Sequence, residues 1–506
     1  MSAEPLVRAE KGQRKGNLTV RCDWTLLKSA KTGDSDALAR LSRHVPTWNP
    51  TIAALHDAQL TIAREQGFAS WPRFRAFIAE SQLSDYGLVT KFISAATADL
   101  RQAEEILAAH PRIADAGFYV ALVLGDAERV ASTLTESPEL VQAKSGPENC
   151  EPVVYACFSR YANPRSGRAE GIVETVRLLL NYGADPDTST IVEDFPDNPL
   201  SVLYAASGLN NNPVLTEALL QAGANPNDGE SLYHSTEHAD LACTRLLLRH
   251  GAKIPGSNAL RHILDGENLD GVQLLLAAGA DPNETNDRAE TCLHWAVWRG
   301  RSAAIVAALL DAGANTDAVR ADGRTAYAIT VHTGQTEIAA LLESRGARTD
   351  LSPVDRLVGT GATDELARLL AESPGVVTDP VNQRLLSDLA MSHQTEAVRA
   401  AVTAGWPVDL RGEHGGTALH WACWKGYADI VEILLKHGAS LSIEDQSFNG
   451  IPAGWFAHGL HNCHDPGGDY PAVARLLVAA GATIPAVDLP TGVPPVDAVL
   501  RELHVI

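Results

Sequence analysis

Residues 416–443 read GTALHWACWKGYADIVEILLKHGASLSI, and this stretch decides the fold. Thr417 to His420 open a first helix, and Gly426 ends it. Ile430 to Leu435 form the apolar stripe of a second helix. Gly438 closes that helix, because glycine enters the left-handed conformation without a Cβ clash. The unit is therefore a helix pair with a glycine stop after each helix.

The closing element recurs. Gly-Ala-Asp or a close variant begins at Gly183, Gly223, Gly251, Gly279, Gly313, Gly346, Gly405, Gly438 and Gly481. Several of the gaps fall near 30 residues, the period of a stacked helical array. Such an array offers a long concave surface rather than a closed catalytic fold. Residues 291–317, TCLHWAVWRGRSAAIVAALLDAGANTD, repeat the pattern closely.

Together these stretches resemble the ankyrin repeat, with its TPLHxAAxxG opening and LLLxxGAD-type ending. Weaker copies cover 201–227, 231–252, 258–283 and 325–350. Helix pairs without the Gly-Ala ending read at 23–44, 95–114, 121–141 and 357–377, most of them closed by a proline stop. The resemblance implies an all-α ankyrin-repeat solenoid, curved, of about a dozen helix-pair units.

The expected organisation is a flexible basic tail over 1–20, then a helical N-terminal cap with a degenerate repeat over 21–85. Degenerate helix pairs follow over 86–150, and ankyrin repeats over 151–350. Repeats continue over 351–485, and a C-terminal cap tail occupies 486–506. Residues 52–80 resemble the helical leader that precedes the repeats of many bacterial ankyrin proteins. Two units carry insertions, SRYANPRSGRAE (159–170) and HNCHDPGGDY (461–470). Insertions in a solenoid go to loops on one side, often the binding side. The Gly-Ala period lapses for 59 residues before Gly405, which leaves continuity across 350–385 open.

Composition narrows the function. The chain has 506 residues, 62 acidic against 41 basic, and a net charge of −21. That balance repels nucleic acid and anionic lipid. The N-terminal 50 residues reverse the sign locally, with nine basic against five acidic side chains. No apolar run reaches the ~18–20 residues of a membrane span. Seven cysteines stand singly without a CxxC, so no disulfide framework is expected and the reading is cytoplasmic.

No P-loop, GxSxG, HExxH or dinucleotide fingerprint occurs, so no cofactor is expected. Candidate chemistry lies on the face that repeat geometry makes concave. Trp295 and Trp298 are three apart on one helix, and Trp421 and Trp424 repeat the arrangement four units later. They either stabilise the stack or wall a groove for an apolar side chain or flat ligand. In the groove reading, Trp298→Ala weakens binding and spares the fold. His294 and His420 occupy the histidine of TPLH, which the resemblance assigns to hydrogen bonds between repeats; they are also ligand-lining candidates with His458.

Glu237 falls where the repeat wants a small apolar residue, so the carboxylate needs a partner. His234 is three residues away on the same face, Tyr233 is adjacent, and Arg261 of the next unit is a candidate cation. His458, His461, Cys463, His464 and Asp469 gather near the second insertion with ligand types suited to zinc. Their spacing matches no common zinc module, so a hydrogen-bonded loop is the expectation and no metal is assigned.

Two functions follow. The first is a non-enzymatic protein that holds a protein partner on its concave aromatic and acidic surface. The alternative is an enzyme or small-molecule binder using a pocket in that groove. It would run cofactor-independent acid–base chemistry such as isomerisation, cyclisation or hydrolysis. Glu237, His234, Tyr233, Asp469 and His461 would be its acid–base set. The assigned register also predicts that Leu434 faces the core between units. Leu434→Ala should cost about 2–5 kcal/mol in chemical denaturation. An unchanged midpoint would contradict the register.

Overall fold

The computed structural model describes residues 18–45, 54–67, 69–71, 74–75, 85–192, 195–447, 450–463, 467–485, 489 and 491–505. Most of the basic N-terminal tail, His464 and part of the 52–80 leader lie outside the described residues. The chain is a succession of antiparallel helix pairs, an all-α ankyrin solenoid. The unit that opened the sequence reading forms Ala418–Lys425 and Ala428–Lys436. Gly426 and Gly438 take φ 75° and 84°, the left-handed region that glycine tolerates. Leu434 is fully buried between the units.

At the N-terminal end, Leu18–Lys31 and Ser35–His44 pack with Leu55–Glu65 around a separate small core of Leu26, Leu41, Ala58 and Ile62. The main core then runs from Phe92 to Ala347 and takes in Met391, Trp421 and Trp455 from later units. A second apolar core runs from Val354 to Leu500. The six cysteines whose side chains are described are all unbridged. Burial pushes the Cys292 thiol up to about 12, which keeps it protonated and inert.

Two local features depart from a plain helical reading. Ser189–Val192 and Phe195–Ser201 pair as an antiparallel hairpin, with Thr190 opposite Leu200. The helix that follows carries a π-helical turn over Ala205–Leu209. The 159–170 insertion holds that turn in place. Asn210 Nδ2 donates to the carbonyls of Cys157 (3.0 Å) and Ser159 (3.2 Å), and Asn212 Nδ2 donates to that of Ala162 (2.7 Å). Single π turns of this kind are frequent at functional sites.

The lapse in period marks a sharp bend. Helix Leu385–Met391 packs against Ala418–Lys425 on one side and also returns to Ala326–His332. The rings of Trp298 and Trp421 lie 6.1 Å apart, although their units are four apart in the chain. Units stacked at the 8–10 Å spacing of packed helices would set them roughly 40 Å apart. The array therefore folds back across its own inner face.

Buried charges hold this joint. Arg320 bonds Asp322 through Nε (2.7 Å) and reaches Asp388 at 3.1 Å, and all three are buried. Arg324 donates to Asp355 (2.8 Å) and Asn382 (2.7 Å), and also to the carbonyl of Val381. Arg384 meets Glu290 at 2.8 Å across 94 residues of chain. Trp298 Nε1 donates to Asp388 at 2.9 Å. Burial alone would raise the Asp322 and Asp355 carboxyls, but Arg320 lowers Asp322, and His332 and Arg324 lower Asp355.

Removing one partner of such a network leaves uncompensated charge in a low-dielectric interior. Arg320→Ala should cost about 3–5 kcal/mol in urea denaturation. A loss below about 1 kcal/mol, the range of exposed pairs, would show that the joint is solvated.

Candidate functional site

The sequence candidates separate into three places. The first lies on the inner helices Val202–Tyr204, Ser231–Ser235 and Ala259–Ile263. Ser231–Ser235 ends early, so Glu237 sits in the turn beyond it with 45% of its side chain exposed. It is not the inward, buried carboxylate that the repeat register implied. His234 stands between two carboxylates, with Nδ1 2.7 Å from Glu237 and Nε2 3.2 Å from Glu230. His262 Nε2 lies 3.6 Å from Glu237.

Arg261 is not the cation beside Glu237. Its guanidinium donates to Asn258 Oδ1 (2.8 Å) and to the carbonyls of Glu284 and Glu290 instead. The pair of positions 261 and 262 matters here: the second residue turns toward Glu237, and the first turns toward the next unit.

Aromatic rings enclose the group. Tyr233 stacks on His262 at 3.7 Å, and Tyr204 meets His234 edge-on at 5.0 Å. Close approach here requires Gly208, since a Cβ at that position would lie 2.6 Å from His234 Cβ. His238 Nε2 fixes the same turn through the Gly208 carbonyl at 2.5 Å.

Burial lowers the His234 pKa, but the bond to Glu237 and the charges of Glu237 and Glu230 outweigh it, so the net shift is upward. Burial would raise Glu237, yet His234 and His262 hold it below its usual range. His262 is depressed by burial. Burial and the nearby carboxylates raise both Tyr204 and Tyr233.

The second place is the tryptophan set. Trp298 and Trp421 are 2% and 6% exposed. They are packed inside the joint, with Trp421 meeting Trp455 edge-on at 5.0 Å and Arg384 lying over the Trp298 ring at 5.2 Å. They do not wall an open groove, because the fold-back fills that space with indole. Truncating Trp298 therefore removes core, which costs about 3–5 kcal/mol of stability. The selective loss of binding expected from the sequence does not survive.

Trp295 and Trp424 remain half-buried. Trp295 Nε1 donates to Asp265 at 3.0 Å, and Arg299 lies 4.9 Å from its ring. Trp424 stacks on the exposed His458 at 5.2 Å.

His294 and His420 are buried links between units. The Thr291 N–H donates to His294 Nδ1, so Nε2–H donates onward to the Arg324 carbonyl at 3.2 Å. His420 repeats this from Thr417 to the Gly450 carbonyl at 3.1 Å. Neither ring is open to a ligand.

The third place is the last insertion. Asp469 caps helix Tyr470–Ala479 by accepting the Ala472 N–H at 3.0 Å. His461 is exposed on helix Pro452–Asn462. Asp469 and His461 thus belong to a different unit from Glu237, His234 and Tyr233, and no bond or ion pair joins the two groups among the described residues. Residues 230, 204 and 262 were missed in the sequence, because only the stacking of three units brings them beside Glu237.

Residues 259–352 and 358–445 each match the family described as "Ankyrin repeats (3 copies)". The chain thus carries ankyrin repeats. It is 27% identical to an E3 ubiquitin-protein ligase KEG of Arabidopsis thaliana, over 54% of this chain and 16% of that protein. It is 29% identical to the nuclear factor NF-kappa-B p105 subunit of Gallus gallus, over 34% and 19%. It is 31% identical to the transient receptor potential channel pyrexia of Drosophila melanogaster, over 34% and 19%. The chain spans about a sixth to a fifth of the length of these relatives. The human ASB11 ankyrin repeat domain is 21% identical, with a TM-score of 0.19, over 44% of this chain and 96% of that one. No described helix is long and apolar enough to cross a membrane.

The His234–Glu237 pair sets a pH dependence. The raised His234 pKa gives stability that is complete below its ordinary value of 6.5 and lost as pH rises through the folded value. The lowered Glu237 pKa gives stability present above its ordinary 4.5 and lost as pH falls through the folded value. The pair therefore supports folding most strongly between those two values. In an NMR titration His234 should titrate above an ordinary imidazole, and Glu237→Gln should bring it down. Identical titration curves would dissolve the pair.

Proposed function

We propose that this chain is a non-enzymatic binding protein that holds a protein partner on the open part of its concave face. The supporting observation is the run of half-buried rings on four successive inner helices, Tyr204, Tyr233, His262 and Trp295, beside the carboxylates Glu230, Glu237 and Asp265. Aromatic anchors with a polar rim make a protein-binding surface. Ankyrin repeats act in protein–protein interaction, and the relatives named above differ in what their names say they do.

The enzymatic alternative asks for converging acid–base groups in a closed pocket. Its five residues fall into two groups on different units, one of them an N-cap. The space expected between Trp298 and Trp421 is filled by the rings themselves.

The test uses the immobilised full chain and a candidate partner isolated on it. Tyr233→Ser with Trp295→Ser should lower partner affinity about tenfold or more, the effect of losing hot-spot anchors. Arg177→Ser with Arg245→Ser, on the outer helices, should leave it unchanged. Loss of binding in the outer pair alone would reject the concave site. A small molecule that raises the melting temperature of the wild type but not of Glu237→Gln would instead favour the alternative.

A further inference from the structure

The polar groups of the first site are unevenly spent. His234 bonds Glu237 and Glu230 through both ring nitrogens. An imidazole donates from both nitrogens only as the cation. Each carboxylate has about four lone-pair directions, so this bond and that from Asn198 to Glu230 leave acceptor capacity in reserve.

His262 stands beside Glu237 and stacks on Tyr233. Its Nδ1 is 3.0 Å from the Thr236 hydroxyl, whose own proton goes to the Tyr233 carbonyl at 2.6 Å. Nδ1 must therefore carry a hydrogen. Nε2 lies 3.6 Å from Glu237 Oε1, beyond hydrogen-bond distance. What fits the acceptor capacity left on Glu230 and Glu237 is a cationic N–H group.

The walls suit the rest of such a ligand. Tyr233, stacked on His262, and Tyr204, edge-on to His234, are each half-buried with open area. A long aliphatic stem lies well on such rings while its charged end reaches the carboxylates. A carboxylate or phosphate would meet Glu230 and Glu237 and be repelled. The net charge of −21 also draws basic partners from a distance.

From this geometry we infer that the Tyr204–Tyr233–Glu230–Glu237–His262 site docks a lysine side chain carried on a basic segment of the partner protein. The inference rests on the protein-binding reading and gives that partner its chemistry. The site is shaped by the π turn at Ala205–Leu209, since Gly208 is what lets His234 come close enough to hold both carboxylates.

The experiment is calorimetric titration of the full chain with a blocked Gly-Lys-Gly-Lys-Gly peptide, with the same peptide acetylated on both lysines, and with variants. Saturable binding to the wild type is expected. It should weaken about tenfold on lysine acetylation and about tenfold in Glu237→Gln. It should hold in Asp270→Asn, which removes an exposed charge from an outer helix. Equal binding by Glu237→Gln, Asp270→Asn and wild type would overturn the site, since net charge alone would then explain the attraction. An absence of saturation in the wild type would overturn it as well. The acetylated-peptide arm needs no variant, so a folding defect in Glu237→Gln cannot mask the answer. If lysine binding fails while the Tyr233/Trp295 variant still loses its partner, the protein-binding reading stands and only the basic segment falls.

Discussion

The buried guanidinium of Arg320, held by Asp322 and Asp388, is the constraint on which the rest of the shape depends. A repeat array has no intrinsic reason to stop growing in one direction, since each unit contacts only its neighbours. Here a loop before one inner helix and a helix two units later are joined by charges out of water. Such an arrangement adds little stability over an apolar replacement, but breaking it is costly. Its effect is to select one geometry. The ladder Trp298–Trp421–Trp455 then fills the space that the charges bring together.

That choice divides the inner face of the array. In the region of the joint the inner face is occupied by the protein's own indoles and arginines. Earlier in the array, from Tyr204 to Trp295, rings and carboxylates stay partly open. The binding surface proposed above lies in this first part of the array. The 159–170 insertion serves that part from behind. The carbonyls of its Ser159 and Ala162 hold Asn210 and Asn212, which fix the π turn under His234.

The tryptophans show where a sequence reading loses its grip. Spacing of three correctly put Trp295 and Trp298 on neighbouring positions of one helix. It carried no information on a contact with a residue more than a hundred positions later. Glu237 shows the same limit at shorter range. The repeat register puts it on the inward face, but the helix Ser231–Ser235 ends early and leaves it in an exposed turn; only its pairing with His234 holds. The second cation was assigned to Arg261, but the rotation of a five-residue helix turned His262 inward instead.

The sequence by itself determined the helix pairs and their glycine stops. These are local: a left-handed φ, a capping bond and an apolar stripe are each set within about ten residues. Only the tertiary structure decided which inner-face residues are covered. The fold-back depends on ion pairs between residues up to 94 apart in the chain, and no period or motif records such a pairing. The same holds for the site, where Tyr204, Glu237 and His262 meet because three units stack, and their chemistry exists only at that contact.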